Sequence, residues 1–152
     1  MRITGYRHKE DFEGVMSIND ACYTGIYCPP RELMRNYLTV SDVFIARHNV
    51  DGCDSKPDED IVVGFAIVRN VFQPYIWNIA VDPAYQGRGV GGNLLREVIR
   101  TYTLSKNLNI ALHVNAENPA QKLYFDYGFR VKSVQAKYFD PNDALLMERK
   151  LP

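Results

Sequence analysis

The strongest chemical signal in this sequence is a glycine-rich segment, Gln86-Gly87-Arg88-Gly89-Val90-Gly91-Gly92. It lies between a predicted strand and a predicted helix, and four of its last six residues are glycine. Without Cβ atoms the backbone can approach a ligand closely, and the first turn of a helix presents unpaired N–H groups and a positive dipole end. We therefore predict a pyrophosphate-binding turn here, with Arg88 as an additional cation.

Two better-known phosphate-binding loops do not fit this segment. A P-loop ends in Gly-Lys-Ser or Gly-Lys-Thr, and the segment has no such ending. The dinucleotide fingerprint requires G-x-G-x-x-G with an acidic residue about 20 positions later. The spacing of Gly87, Gly89 and Gly91 differs from that pattern. The segment is therefore a phosphate loop of another kind, or only a tight strand-to-helix turn.

The elements around this turn predict an α/β fold, a mixed sheet with helices on its faces, in the order β-α-α-β-β-β-α-β-α-β-β. Apolar residues at helical spacing predict helices over residues 9–22, 31–38 and 91–105. Asn118 is the expected N-cap and Pro119 the first residue of a fourth helix, and Gly128 is its expected C-terminal glycine.

Seven strands are predicted from apolar and alternating runs. They cover residues 1–7, 43–46, 61–68, 75–81, 109–114, 129–136 and 144–151. The third of these is apolar on both alternating faces, which is typical of a central strand covered on both sides. The acidic stretch 49–60 contains Asp51-Gly52 and predicts a solvated hairpin loop.

Composition narrows the class of protein. The chain has 152 residues, of which 46% are hydrophobic and 24% charged, so we expect one domain spanning 1–152 with a full core. Lys+Arg and Asp+Glu are equal at 18 each, which argues against a nucleic-acid binder. Three cysteines without a CxxC pair argue against a disulfide framework and against a metal site. The sequence shows no secretory h-region and no membrane-length apolar run, so we expect a cytoplasmic protein. We also expect a monomer or weak dimer.

Two motifs in this chain resemble signatures of the GNAT family of N-acetyltransferases. The family's hallmark is Gln/Arg-x-x-Gly-x-Gly/Ala at the start of the helix after the fourth strand, and residues 86–91 match it position by position. Leu123-Tyr124 followed by Gly128-Phe129 matches the family's LY-x-x-x-GF signature. The stretches 77–86 and 137–147 further resemble the ribosomal-protein-alanine (RimI-like) group of N-terminal acetyltransferases.

The resemblance implies that the chain binds acetyl-CoA as its cofactor. The pyrophosphate would lie on the amides of the glycine segment, contributed by Gly87, Arg88, Gly89, Val90, Gly91 and Gly92. The pantetheine arm would pair with the backbone of Ile79, Ala80 and Val81, where the fourth and fifth strands diverge. Asn118 occupies the position of an Asn that contacts the coenzyme in related enzymes, although its spacing to Tyr124 is one residue shorter than the common form.

Two residues are the candidates for the proton transfers of such a reaction. The resemblance makes Tyr124 the general acid, since a phenol with a pKa of about 10 stays protonated at neutral pH and can donate to a departing thiolate. His113 lies where RimI-like enzymes place a Glu and some other N-terminal acetyltransferases a His. An α-amine, which titrates near 7.7–8.0, needs only a mild base of this kind. The alternatives are a packing ring for Tyr124 and a structural histidine for His113.

The acceptor is less constrained than the cofactor. The resemblance places Tyr138 and the turn Tyr23 to Pro30, including Tyr27, over the acceptor groove. Aromatic walls with few charges suit a peptide N-terminus better than a polyamine, which would require clustered acids. We therefore expect an enzyme that acetylates the N-terminal α-amine of a protein or peptide. A small-molecule amine such as an antibiotic or polyamine is the alternative acceptor, and a non-catalytic acyl-CoA-binding module would need neither Tyr124 nor His113.

Overall fold

The structure is a computed structural model that describes residues 1–24, 27–49, 60–104 and 109–150. Its strands are β1 (Arg2–Gly5), β2 (Asp42–His48), β3 (Ile61–Asn70), β4 (Pro74–Val81), β5 (Asn109–Asn115), β6 (Arg130–Phe139) and β7 (Asn142–Lys150). Its helices are α1 (His8–Cys22), α2 (Arg31–Val40), α3 (Val90–Thr103) and α4 (Gln121–Asp126), with a 3₁₀ turn at Pro83–Tyr85. The predicted order of helices and strands, and with it the α/β class, is confirmed.

The seven strands form one mixed sheet in the order β1-β2-β3-β4-β5-β7-β6. A buried cluster lies on each face. One is built on α1 and α2 and includes Phe12, Val15, Met16, Met34 and Leu38. The other is built on α3 and α4 and includes Leu94, Leu95, Val98, Tyr102 and Tyr124. Because both faces are covered, β3 is buried continuously from Val63 to Val68, as its apolar pattern predicts.

β4 and β5 separate soon after they meet. They run parallel, and their pairing is confined to Tyr75 opposite Ala111 and Ile76 opposite Leu112. On the other side of β4 the register with β3 shifts, because Ile67 lies opposite Asn78 while Val68 lies opposite Ile76. Trp77 is therefore the extra residue of a β-bulge, which bends the strand locally. From Trp77 to Val81, β4 is unpaired on its β5 side and leaves a gap in the sheet.

Several element boundaries differ from the predictions. α4 begins at Gln121 and not at Pro119, because the Gln121 N–H bonds the carbonyl of Asn118 at 3.2 Å and tightens the preceding turn. The predicted N-cap role of Asn118 is wrong, because the N-cap of α4 is Ala120 and no described side chain caps the helix; Oδ1 of Asn118 instead accepts the N–H of Ala120 at 2.8 Å within the preceding turn. Gly128 has a φ of +87°, as expected of a helix-terminating glycine. β6 continues to Phe139, three residues beyond its predicted end.

Some predictions lie outside the described residues. Most of the predicted hairpin loop at 49–60, including Cys53, belongs to this part of the chain, although the β2–β3 pairing that the loop connects is antiparallel as expected. Within the ranges that the structure describes, no helix is both long enough and apolar enough to cross a bilayer.

Candidate active site

A cavity of about 450 Å³ opens where β4 and β5 part. Its described lining comes from the end of α1, the segment before α2, β4, β5, α4 and the end of β6. None of these described lining residues is Asp, Glu, Lys or Arg. The residues are Cys22, Tyr23, Thr24, Tyr27, Pro29, Ile76, Trp77, Asn78, Ile79, Leu112, His113, Val114, Asn115, Asn118, Ala120, Tyr124 and Phe139.

The glycine turn leads into α3 in the way that anion-binding turns do. Gly87 and Gly89 have φ values of +72° and +79°, and a Cβ built on either would meet nothing within 4 Å. Gly89 is the N-cap of α3, and no side chain caps this helix start. Two backbone positions that favour glycine therefore border open space at the positive end of a 14-residue helix.

The other members of the segment have different surroundings. A Cβ on Gly92 would come within 2.7 Å of the Tyr127 hydroxyl, so a larger residue here would displace the Tyr127 side chain that packs on α3. The Val90 side chain is buried in the core, which leaves only its amide for a ligand. The Arg88 guanidinium lies over the ring of Tyr85, 5.3 Å from its centroid.

The peptide groups of β4 alternate between β3 and the gap. The Asp82 N–H donates to the carbonyl of Val63 at 2.9 Å. In an antiparallel ladder the hydrogen-bonded pairs recur at every second residue, so Ala80 exchanges its hydrogen bonds with its partner Phe65. The peptide groups of Ile79 and Val81 consequently point away from β3 and into the gap.

Side chains from neighbouring elements reach the two carbonyls that face the gap. The Tyr23 hydroxyl lies 3.1 Å from the carbonyl of Ile79 and makes its shorter hydrogen bond, at 2.6 Å, to Oδ1 of Asn78. The carbonyl of Val81 accepts from Cys22 Sγ at 3.3 Å and from Gln86 Nε2 at 3.0 Å. An extended ligand that pairs with β4 would therefore meet Ile79 and Val81, whose carbonyls already have side-chain neighbours, whereas Ala80 uses its peptide groups on β3.

Tyr124 projects from α4 into the cavity and is only 6% exposed. Its ring packs edge-on against Phe129, with centroids 6.0 Å apart. Its hydroxyl makes no hydrogen bond to any described residue, and burial raises its pKa to about 12. The phenol is thus a protonated donor whose partner has to come from the cavity.

His113 lies on β5 between two tyrosines. Its Nδ1 is 2.7 Å from the Tyr75 hydroxyl, and its ring stacks on Tyr138 with centroids 4.8 Å apart and planes 5° from parallel. Its Nε2 is enclosed and has no hydrogen-bond partner among the described residues. Burial lowers the pKa of His113 below its usual value, and an interaction with the Gln135 side chain offsets part of this shift.

Tyr75 determines the protonation pattern of this group. Burial, and to a smaller extent the nearby Tyr138 phenol, raise the pKa of Tyr75 to about 12. The Tyr75 hydroxyl therefore keeps its proton at neutral pH and donates it to Nδ1 of the neutral His113 ring, whose own proton is on Nε2. Tyr75 and His113 form a hydrogen-bonded pair that can accept one further proton.

The two residues predicted over the acceptor groove occupy different places. Tyr27 lines the cavity, its hydroxyl donates to the carbonyl of Asp140 at 3.0 Å, and its ring packs edge-on against Phe139. Tyr138 is 51% exposed and reaches the site through its stack on His113, while its neighbour Phe139 is in the lining. Tyr27 and Phe139 thus join the segment before α2 to the end of β6 across the cavity.

Three residues that the sequence did not single out belong to this site: Tyr75, Asn78 and Phe139. Tyr23, from the predicted turn Tyr23 to Pro30, also lines the cavity. Tyr75 and Asn78 are near the bulge of β4, and a hydroxyl and an amide on a strand that is otherwise mostly apolar were the available signal. Asn118, which was singled out, lines the cavity while its Oδ1 accepts the N–H of Ala120 in the turn before α4.

Comparison with known proteins identifies relatives of this chain. A family model described as Acetyltransferase (GNAT) domain matches residues 40–131. The ribosomal protein bS18-alanine N-acetyltransferase of Haemophilus ducreyi is 31% identical over 88 residues, which cover 57% of this chain and 61% of the relative. The N-alpha-acetyltransferase RimI of Mycobacterium tuberculosis is 33% identical over 96 residues, which cover 58% and 59%. The chain thus spans about three fifths of the length of these two relatives.

Solved structures share the fold over almost the whole chain. The ribosomal-protein-S18-alanine N-acetyltransferase from Escherichia coli superimposes with a TM-score of 0.81 at 22% identity, covering 99% of this chain and 93% of that one. A chain of the NatC complex bound to Gag peptide and CoA gives a TM-score of 0.80 at 24% identity and covers both chains fully. At this level of identity the likeness establishes the architecture.

Proposed function

The chain belongs to the GNAT family of acetyltransferases, and from this premise we propose that it transfers the acetyl group of acetyl-CoA to the N-terminal α-amine of a protein or peptide. The observation that carries the proposal is one uncharged cavity that joins the open edge of β4 to Tyr124 and His113. The relatives named as RimI and as alanine N-acetyltransferases support the choice of acceptor. We also propose that the protein works in the cytoplasm as a monomer or weak dimer.

We propose that three parts of the structure hold acetyl-CoA. The open turn at Gly87 and Gly89 and the first amides of α3 would bind the pyrophosphate. The peptide groups of Ile79 and Val81 would pair with the pantetheine amides, in the manner of an added strand. The thioester would then lie near Tyr124, which lines the same cavity.

The chain's residues would move two protons during the transfer. As the acceptor nitrogen bonds the acetyl carbon and the carbon–sulfur bond breaks, the nitrogen loses a proton and the sulfur gains one. Tyr124 would donate to the sulfur, because its phenol is protonated and has no protein partner. The Tyr75 hydroxyl would take the proton of the nitrogen, directly or through a water, while it passes its own proton to Nδ1 of His113.

The uncharged lining supports an α-amine acceptor over a polyamine. A polyamine carries several cationic centres that require carboxylates, and the described lining offers none. An α-amine, with a pKa near 7.7–8.0, is partly neutral at physiological pH and can enter such a cavity at modest cost. The aromatic surfaces of Tyr27 and Phe139 would then contact the first side chain of the acceptor.

The cofactor site can be tested by replacing Gly89 with asparagine. Asparagine tolerates positive φ better than other residues, and the new side chain would enter open space, so the unliganded protein should fold normally. That space is where the pyrophosphate is proposed to lie. We expect CoA to raise the thermal midpoint of the wild type. At a hundredfold excess of CoA over its Kd, the free energy of unfolding should rise by about 2.7 kcal/mol. The increase should be lost in Gly89→Asn.

Gly5→Ala is the matched control for this experiment. A Cβ on Gly5 also meets nothing within 4 Å, and Gly5 is in the edge strand β1, which β2 and β3 separate from β4. Its CoA response should equal that of the wild type. If millimolar CoA fails to stabilise the wild type, the cofactor proposal is wrong. A normal response in Gly89→Asn would place the pyrophosphate elsewhere.

The acceptor is tested by a screen with acetyl-CoA and a readout of free thiol. The panel contains peptides with different first residues, one peptide with a blocked N-terminus and an internal Lys, and a polyamine. We expect acetylation of the free N-termini and no reaction of the blocked peptide. Preferential acetylation of the polyamine would reassign the protein to small-molecule acceptors, and CoA binding without turnover of any amine would favour a binding module.

A further inference from the structure

Asn78 is a buried polar side chain that faces the cavity. It follows the bulge of β4, is 8% exposed and belongs to the cavity lining. Its Oδ1 accepts a hydrogen bond from the Tyr23 hydroxyl at 2.6 Å. Its Nδ2 makes no hydrogen bond to any described residue. Nδ2 is not one of the fully enclosed side-chain atoms that lack a partner in the described chain, so its acceptor comes from the cavity, as a water or an atom of a ligand.

Tyr23 holds this amide in one orientation. Its hydroxyl lies between Oδ1 of Asn78 and the carbonyl of Ile79, at 2.6 and 3.1 Å. Burial raises the pKa of the Tyr23 phenol, so the hydroxyl keeps its proton and acts as a donor. With Oδ1 engaged by Tyr23, the N–H groups of Asn78 are directed towards the cavity and are fixed before any ligand binds.

The same place contains a second donor without a partner. The Tyr124 phenol lies close enough to Tyr23 to raise its pKa, and the Tyr124 hydroxyl also lacks a partner in the described chain. A thioester under attack has two atoms that become more negative, the sulfur and the carbonyl oxygen. The site thus presents one donor for each atom, and Tyr124 is already proposed for the sulfur.

We infer that Asn78 donates from Nδ2 to the carbonyl oxygen of the acetyl group and stabilises the negative charge that develops there. The inference rests on the proposed function, since it assigns a catalytic residue to that reaction. A neutral amide suits this task because it is preorganised by Tyr23 and needs no proton transfer. The competing role is a contact with the acceptor peptide, which would place Asn78 in substrate binding.

Infrared spectroscopy separates these roles without turnover. The probe is a ketone isostere of acetyl-CoA, in which a methylene replaces the sulfur and the carbonyl carries an isotope label. In the wild type, hydrogen bonding should lower the carbonyl stretching frequency on binding. In Asn78→Ala most of this shift should be lost, whereas Asn70→Ala, at an exposed position at the end of β3, should behave as the wild type. An unchanged shift in Asn78→Ala would overturn the inference.

Kinetics provides the second measurement. Removing an oxyanion donor typically lowers kcat by about 10²-fold, so Asn78→Ala should show this loss with the acceptor KM unchanged. Asn78→Asp keeps the oxygen that Tyr23 contacts but removes the donor, so its kcat should be at least as low as that of Asn78→Ala. Asn78→Ser has a hydroxyl donor and should recover part of the rate. The serine variant replaces the alanine variant if the latter fails to fold. A raised acceptor KM at normal kcat would assign Asn78 to peptide binding. A wild type that binds no isostere would overturn the proposed function and this role with it.

Discussion

Replacing Tyr124 with phenylalanine is expected to lower kcat by roughly 10²-fold or more, the usual scale for loss of a general acid. The substitution removes one hydroxyl and keeps the ring that packs against Phe129. Coenzyme affinity should change little, because the ring surface in the cavity is retained. The measurement is steady-state turnover on the best peptide of the screen, with CoA binding followed in parallel.

Stability is the control for this variant. The Tyr124 hydroxyl faces the cavity and has no hydrogen-bond partner within the described chain, so its removal leaves no polar group of the protein unpaired. The thermal midpoint of Tyr124→Phe should equal or exceed that of the wild type. Normal turnover in this variant, with the chemical step shown to limit the rate, would return Tyr124 to a packing role. A lowered midpoint would mean that the hydroxyl has a structural partner.

The second large effect is expected from His113→Ala, which should lower the rate by roughly 10²-fold near pH 7. Burial lowers the pKa of His113, so the neutral form that accepts a proton dominates at neutral pH and is lost only on acidification below about 6.5. In the wild type, the rate should therefore rise with pH through an ionisation below this value. The variant should lack this rise of the rate with pH. Its rate should approach that of the wild type at high pH, where the acceptor amine is already neutral.

Tyr75→Phe distinguishes the route of the proton. If the proton travels through the Tyr75 hydroxyl to Nδ1, this variant should reproduce the pH profile of His113→Ala, because Nδ1 loses the hydroxyl from which it would receive the proton. A pH profile of all three proteins on one peptide is the measurement. If the rate rises with pH in the same way in His113→Ala and in the wild type, His113 is not the base. A normal profile in Tyr75→Phe alone would require direct access to the His113 ring.

Local sequence patterns were sufficient for the order of helices and strands and for the glycine turn before α3. Glycines at positions of positive φ, a helix start after a glycine-rich turn, and a buried apolar strand are each encoded within a few neighbouring residues. The same holds for Asn118, whose side chain bonds the N–H of Ala120, two residues later. Boundaries were less accurate, because the tightened turn before α4 and the end of β6 depend on neighbouring structure.

Only the tertiary structure decided how the side chains around His113 and Asn78 come together. Tyr75 meets His113, Tyr23 meets Asn78 and Tyr27 meets Asp140 across 38, 55 and 113 residues of chain. The bulge at Trp77 decides these contacts in part, because one extra residue changes which β4 side chains face each layer and where the peptide groups of Ile79 and Val81 point. The position of this bulge is set by the packing of α1, β3 and β5 against β4. The sequence of β4 alone has no periodicity that predicts it.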